Sequence, residues 1–356
     1  MANVQFQDFL DETSLLIKNQ LDIFLNRKIR EVKDLGTVPI ELVKKLSSLT
    51  SRGKMIRAAL IRIGFELAGG SNLTEIIKVA ASYEILHTFL LIHDDIIDKA
   101  NLRRGLPTIH YQFSKYHKEQ QLRGNSLDYG EAVAITVGDI ANFFSFGLFL
   151  ESNFPDQYKI GAVEFLTKTL IETGWGQILD IDLALRTKRD EEDVFKIYEL
   201  KTASYSLVAP LVIGAILAGA DRKIQENLAN FARPLGIAFQ IKDDILGTFG
   251  GEEITGKNPK LDIEEGKNTL LISYALRRAN KKEREFLSQF YGRKPVTNDI
   301  LDKIRNIFVR SGALSYSERK IDELIGAALV ELQKLPSTPQ TSLLASLTNF
   351  LAERDR

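Results

Sequence analysis

The chain has 356 residues, enough to bury a large core, and its 44% hydrophobic and 26% charged residues are the balance of a soluble globular protein. Lys plus Arg and Asp plus Glu number 47 each, so no overall field draws the chain to nucleic acid or to an anionic membrane, and any anion site must be local. The absence of Cys excludes disulfides, thiolate metal sites and a Cys nucleophile.

The first residues, MANVQFQDFLDET, carry Asp8 and Asp11 and lack the basic-then-apolar order of a signal peptide, so they read as mature sequence. Apolar residues then recur at three- and four-residue intervals in nearly every long segment, which predicts an all-α fold. Ile56, Leu60, Ile63, Phe65 and Leu67 predict one helix that stops at Gly69-Gly70; Thr74 opens the next, which runs towards Asp98. Further breaks fall at Gly105 to Pro107, Gly124 to Gly130, Pro155, Gly174 to Gly176, Gly219, Gly250 to Pro259 and Pro336 to Pro339. They are too short for domain linkers, and no hairpin-bounded alternation or fixed repeat is visible, so residues 1–356 read as a single helical domain. The longest apolar run, Leu207 to Ala220, contains Pro210 and falls short of the roughly 20 residues that span a bilayer. A cytoplasmic protein with no transmembrane segment is the expectation.

Ala80 to Ala100 reads AASYEILHTFLLIHDDIIDKA, an apolar helix ending in Asp94, Asp95 and Asp98. Clustered carboxylates on such a helix repel one another and lose solvation unless a cation compensates them. At about 100° per residue, Asp98 lies about 40° and His87 about 20° from Asp94, so one face carries all three, whereas Asp95 points about 100° aside. Two carboxylates one turn apart suit magnesium, which takes oxygen ligands and bridges to phosphates. The alternative is a solvated acidic helix end, which the helix dipole opposes.

Arg103-Arg104-Gly105 follows, two guanidinium forks suited either to phosphate or to neutralising the aspartates. Far downstream, GIAFQIKDDILG places Asp243 and Asp244, with Gln240, on a second apolar helix. Lys54 and Arg57, Lys201-Thr202, Lys257 and Lys267 supply cations between and around the acidic pairs. Each alone is an ordinary surface charge; their conjunction is the signal.

In this order the motifs resemble those of trans-isoprenyl diphosphate synthases of the polyprenyl synthetase family, most like geranylgeranyl diphosphate synthases. The matching elements are Gly53-Lys54 with Arg57, His87, Asp94 to Asp98, Arg103-Arg104-Gly105, Gln177 with Asp180, Lys201-Thr202, Phe239-Gln240, Asp243-Asp244, Lys257 and Glu265-Gly266-Lys267. Three positions depart from the family pattern: Arg52 replaces the first of two glycines, Ala58 a proline, and Gly247 a third aspartate of the second motif.

The resemblance implies a large helical bundle of the isoprenoid synthase type with a central cavity, working as a homodimer. It implies an allylic diphosphate held through magnesium, three ions per site with substrate bound, and isopentenyl diphosphate held by cations. Asp94, Asp98 and Asp243 are then the direct metal ligands, with Asp95, Asp244 and Asp262 in support. Arg103, Lys201, Thr202, Gln240, Lys257 and Lys267 serve the allylic diphosphate; Lys54, Arg57, His87 and Arg104 serve isopentenyl diphosphate.

A C20 product is expected, with C15 or C25 next. The family places its length-setting bulk just before the first motif, at Phe89; helix geometry gives Leu90 the smaller angle from Asp94. The Phe143, Phe144, Phe146 and Phe149 cluster is core or a homodimer face. The rival enzymatic reading is a class I terpene cyclase, and the rival of another class is a non-catalytic helical subunit. Lys54, Arg57 and the arginine pair favour condensation over cyclisation, and the two retained acidic pairs oppose a silent subunit.

Overall fold

The structure is a computed structural model that describes residues 2–103, 105–186, 189–251 and 259–352. The chain enters through α1 (Ala2–Glu31), α2 (Thr37–Ser51), α3 (Ile56–Leu67) and α4 (Leu73–Ile97). A two-residue ladder, β1 (Leu102–Arg103) antiparallel to β2 (Leu106–Pro107), leads to α5 (Ile109–Glu119), α6 (Ser126–Leu150) and α7 (Asp156–Ala184). Then come α8 (Glu191–Ile197), a π-helix (Tyr198–Val208), α9 (Ala209–Leu217) and α10 (Arg222–Phe249). The remainder holds α11 (Leu261–Glu264), α12 (Leu270–Arg278), α13 (Lys281–Phe290), α14 (Asn298–Arg310), α15 (Ala313–Leu332) and α16 (Pro339–Ala352).

The all-α expectation from apolar spacing is met. α3 stops at Leu67 as its glycines require, and α4 starts one residue before Thr74, because Asn72 caps it by accepting the Glu75 amide (3.3 Å). The β1–β2 ladder went unseen in the sequence because two residues a side cannot show an alternating pattern.

From Ile76 to Thr88, α4 is buried at nearly every position, so it is a central helix rather than an amphipathic surface one. The first core cluster surrounds it with residues of α1, α2, α3, α6 and α9; a second joins α3 and α9 to α10, α15 and α16. Two glycines let α3 and α9 touch backbone to backbone. A Cβ on Gly64 would lie 2.1 Å from Leu211 O, and one on Gly214 would lie 2.1 Å from Ile61 O. Both helices are thereby held as a rigid floor, α3 beginning beside Lys54 and α9 continuing the π-helix.

α4, α6 and the run Glu191–Leu217 are each long and apolar enough to cross a membrane by length and composition, which a count of unbroken apolar residues did not reveal. In α4 and in Glu191–Leu217, 72% of the apolar window is buried within the fold; in α6 only 39% is. The difference leaves α6 with an apolar outer face.

Candidate active site

A cavity of about 540 Å³ opens between the C-terminal half of α4, the π-helix, α10 and the segment after α11. The Asp98 amide still bonds Asp94 O (2.8 Å), so the helical turn persists to the cap and stacks Asp94 and Asp98 on the cavity wall with His87. Asp95 turns away from the cavity: it is buried and forms an ion pair with Arg103 Nε of β1. Arg103 itself borders the cavity; burial works against its charge, but Asp95 and Asp94 hold its pKa above the ordinary value. Burial pushes the Asp98 carboxyl up, Lys267 opposes this and Asp94 adds to it. Arg104 lies outside the described residues.

Opposite stand Gln240, Asp243 and Asp244 of α10. Asp244 is the inner member of this group. It accepts hydrogen bonds from Tyr198 Oη and from Gln240 Nε2 (2.9 Å), while Gln240 Oε1 accepts from Thr202 Oγ1 (2.8 Å). Burial pushes Asp244 up to about 7 against these bonds. At Gly247, where the family pattern has a third aspartate, a Cβ would stand 2.4 Å from Asp262 Oδ2. The carboxylate of α11 therefore uses the room that a side chain at 247 would need, and Asp262 also lines the cavity.

Cations bracket the acids. Lys201, on the π-helix, lies 2.6 Å from Asp180 of α7; burial works against its charge, but Asp180 and Asp94 keep its pKa above the ordinary range. Close approach of α7 requires Gly176, whose Cβ would meet Lys201 N at 2.6 Å. Lys267 sits among Asp262 (2.6 Å), Glu265 (3.7 Å) and Asp98 (4.0 Å), and so links the two acidic walls. At the other end are Lys54, Arg57 and His87. Arg57 donates to Ser206 Oγ (2.9 Å) and Tyr205 Oη (3.2 Å), with its guanidinium 5.0 Å from the Tyr205 ring centroid. Lys257 lies outside the described residues.

Other candidates stand elsewhere. Phe89 and Leu90 do not line this cavity; Leu91 does. Phe89 packs against the first core cluster, its ring edge-on to His93 at 5.0 Å. Gln177 is likewise absent from the wall.

Several wall residues escaped the sequence reading. Glu84 had a signal, a lone carboxylate inside an apolar stretch; it accepts the Ala58 amide (3.3 Å), a bond that a proline at 58 could not supply. Arg52, at a family glycine position, adds a cation to the rim. Tyr198, Tyr205 and Asn268 carried no motif.

Glu265 gives a pH signature. Burial, with Asp98 and Asp262 adding and Lys267 opposing, raises its pKa from 4.5 to about 7. The folded state then holds this proton more tightly than the unfolded chain, so its stabilising contribution is full below about pH 4.5 and lost as pH rises through about 7. Glu265→Gln is expected to flatten the fall of Tm over that window in metal-free protein. Equal slopes for both proteins would refute this.

Known proteins resemble this chain in sequence and fold. The polyprenyl synthetase family profile matches residues 41–308. The chain is 30% identical to a geranylgeranyl diphosphate synthase of Sulfolobus acidocaldarius, over 93% of this chain and 97% of that one. It is 32% identical to a geranylfarnesyl diphosphate synthase of Aeropyrum pernix, over 87% of this chain and 92% of that one. Among solved structures it resembles a geranylgeranyl pyrophosphate synthase from Corynebacterium glutamicum complexed with isoprenyl diphosphate and magnesium. That likeness has a TM-score of 0.92 at 29% identity, covering 97% of this chain and 99% of that one.

Proposed function

The chain belongs to the polyprenyl synthetase family and is a trans-prenyltransferase; from that premise we propose that it condenses isopentenyl diphosphate with an allylic diphosphate in the cavity between α4 and α10, giving an all-trans product near C20. The observation that carries this reading is the gathering of Asp94, Asp98, Asp243, Lys201 and Lys267 around one cavity whose other end holds Lys54, Arg57 and His87. Two cationic poles suit two diphosphates, and a cyclase has use for one.

Among the described residues no three acidic or histidine side chains form a ready metal cage. The donors nevertheless fit magnesium, a hard cation that keeps several waters and shares its coordination with phosphate oxygens. Asp94, Asp98 and Asp243 would hold the metal, and three ions is the number we expect with substrate bound. Bound magnesium would neutralise the diphosphate and withdraw charge from the bond that ionises.

Lys201, Lys267 and Arg103 orient the allylic diphosphate and stabilise it as it departs. Lys54, Arg57 and His87 hold isopentenyl diphosphate so that its double bond meets the allylic cation. Leu91 and Phe239, on opposing helices, contribute apolar wall that keeps water from that cation. The proton lost from the condensed product passes to the departed diphosphate. Incubation with isopentenyl diphosphate and each allylic starter, with magnesium or with chelator, tests the proposal. We expect metal-dependent elongation to C20, and no elongation with any starter would defeat it.

C15 and C25 remain the next products in order. Phe89→Ala is expected to lengthen the product by removing a ring from the α4 side of the first core cluster. An unchanged chromatographic distribution would sink the length-setting role.

We read the chain as one cytoplasmic catalytic domain that pairs with a second copy. The Phe cluster divides accordingly: Phe149 is core, Phe144 and Phe146 pack against it, and Phe143 is 71% exposed. With Ile135, Ile171, Trp175 and Ile178, Phe143 gives the outer faces of α6 and α7 an apolar character that favours a partner. Phe143→Asp is expected to halve the mass measured by light scattering, and a monomeric wild type would overturn the dimer.

A further inference from the structure

We propose that Arg189 and Tyr291, neither of which lines the cavity, form a clamp that positions Lys267 for the allylic diphosphate; this rests on the reading of Lys267 given above. The two peptide groups that flank the Lys267 Cα are each held by a side chain from a distant part of the chain. Arg189, between α7 and α8, donates through Nη1 to Gly266 O (2.7 Å) and to Asn268 Oδ1, and through Nη2 to Ala184 O (3.0 Å). Tyr291, just after α13, donates through Oη to Lys267 O (2.8 Å). With both neighbouring carbonyls fixed, the backbone torsions of Lys267 are fixed as well.

The two clamp residues support each other, since the Arg189 guanidinium lies 5.3 Å from the Tyr291 ring centroid. Ser273 Oγ donates to Arg189 O (2.9 Å) and so secures the backbone from which the guanidinium extends. On the Tyr291 side, Gly292 N bonds Ile263 O (2.8 Å), and Gly266 adopts φ 67°, where a Cβ would stand 2.9 Å from Gly292 Cα. Such contacts tie the segment from Asp262 to Asn268 to α7 on one side and to the end of α13 on the other.

Lysine has a reason to need this. Its ammonium is a point charge on a flexible four-carbon stem, and holding it against the substrate costs rotamer freedom. Fixing the backbone leaves only the stem to order, with Asp262 and Asp98 completing its placement. The clamp thus acts through Lys267 on one substrate and leaves the Lys54 and Arg57 end untouched.

Two mild variants test it. Tyr291→Phe keeps the ring under Arg189 and removes the hydroxyl, with its bonds to Lys267 O and to the Thr269 side chain; Arg189→Lys keeps the charge and removes the fork. Each is expected to raise KM for the allylic diphosphate about 2- to 10-fold, the range of one hydrogen bond. KM for isopentenyl diphosphate should stay within about twofold, since its pocket is remote. In a Lys267→Met background, Tyr291→Phe should add nothing further. A fall in Tm without the KM split, or an undiminished effect in the Lys267→Met background, overturns the clamp. Lys267→Met leaving the allylic KM unchanged overturns instead the diphosphate reading beneath it.

Discussion

Asp98→Asn is expected to lower kcat by about three orders of magnitude, with a higher magnesium concentration for half-maximal rate, while raising the Tm of the metal-free protein. The two effects have one cause. Asp98 stands at the end of α4 one turn beyond Asp94, and burial together with Asp94 pushes its pKa up, so its charge is held against the preference of the site. Lys267, 4.0 Å away, relieves part of that cost. Asparagine keeps the shape, removes the repulsion with Asp94 and takes away the charge that a metal–diphosphate complex needs. A site that is less stable without its ligand than a neutral substitute is the usual compromise of function with stability. Steady-state rates over a magnesium titration, and thermal melts in chelator, read the two effects separately. Activity within about tenfold of wild type would remove Asp98 from the metal-binding set.

How far the sequence led can be judged on α4. Its period gave the helix, its stop and the shared side of His87, Asp94 and Asp98. Unsigned angles from Asp94 misplace the neighbouring apolar wall, at Leu90 in place of Leu91. Measured in one sense at about 100° per residue, His87, Asp98, Leu91 and Glu84 fall at about 20°, 40°, 60° and 80° from Asp94. All four line the cavity. Leu90 falls about 40° to the other side and is not on the wall, although its unsigned angle is smaller than that of Leu91. The sector also runs through Glu84, which an apolar reading of the helix passed over.

Other features were beyond sequence reasoning for physical reasons. The π-helix that carries Lys201, Thr202 and Tyr205 has the same residue chemistry as an α-helix, and only its hydrogen bonds distinguish it. Such segments concentrate at functional sites, consistent with Lys201, Thr202 and Tyr205 all lining one cavity. Asp262 replaced a side chain at Gly247 through a contact between α10 and α11, which no local pattern encodes. Arg189 and Tyr291 meet around Lys267 from segments about one hundred residues apart in the chain, and each alone reads as an ordinary side chain.

Lys201→Met is expected to cost both activity and stability, and the two losses can be separated. Lys201 and Asp180 lie 2.6 Å apart with side chains 22% and 15% exposed, so removing the ammonium leaves a largely buried carboxylate without its nearest cation. Loss of one partner from a fully buried pair costs about 3–5 kcal/mol; residual exposure to the cavity brings the expected value to about 2 kcal/mol. The rate is expected to fall about 10²- to 10³-fold, because a fixed charge aimed at the departing diphosphate has gone. Adding Asp180→Asn removes the stranded carboxylate and should restore most of the Tm. It cannot replace the positive charge, so the double variant should remain as slow as the single one. A double variant that regains activity would mean that Lys201 serves only to neutralise Asp180, and that the diphosphate is held by Lys267 and the metal-binding acids without it.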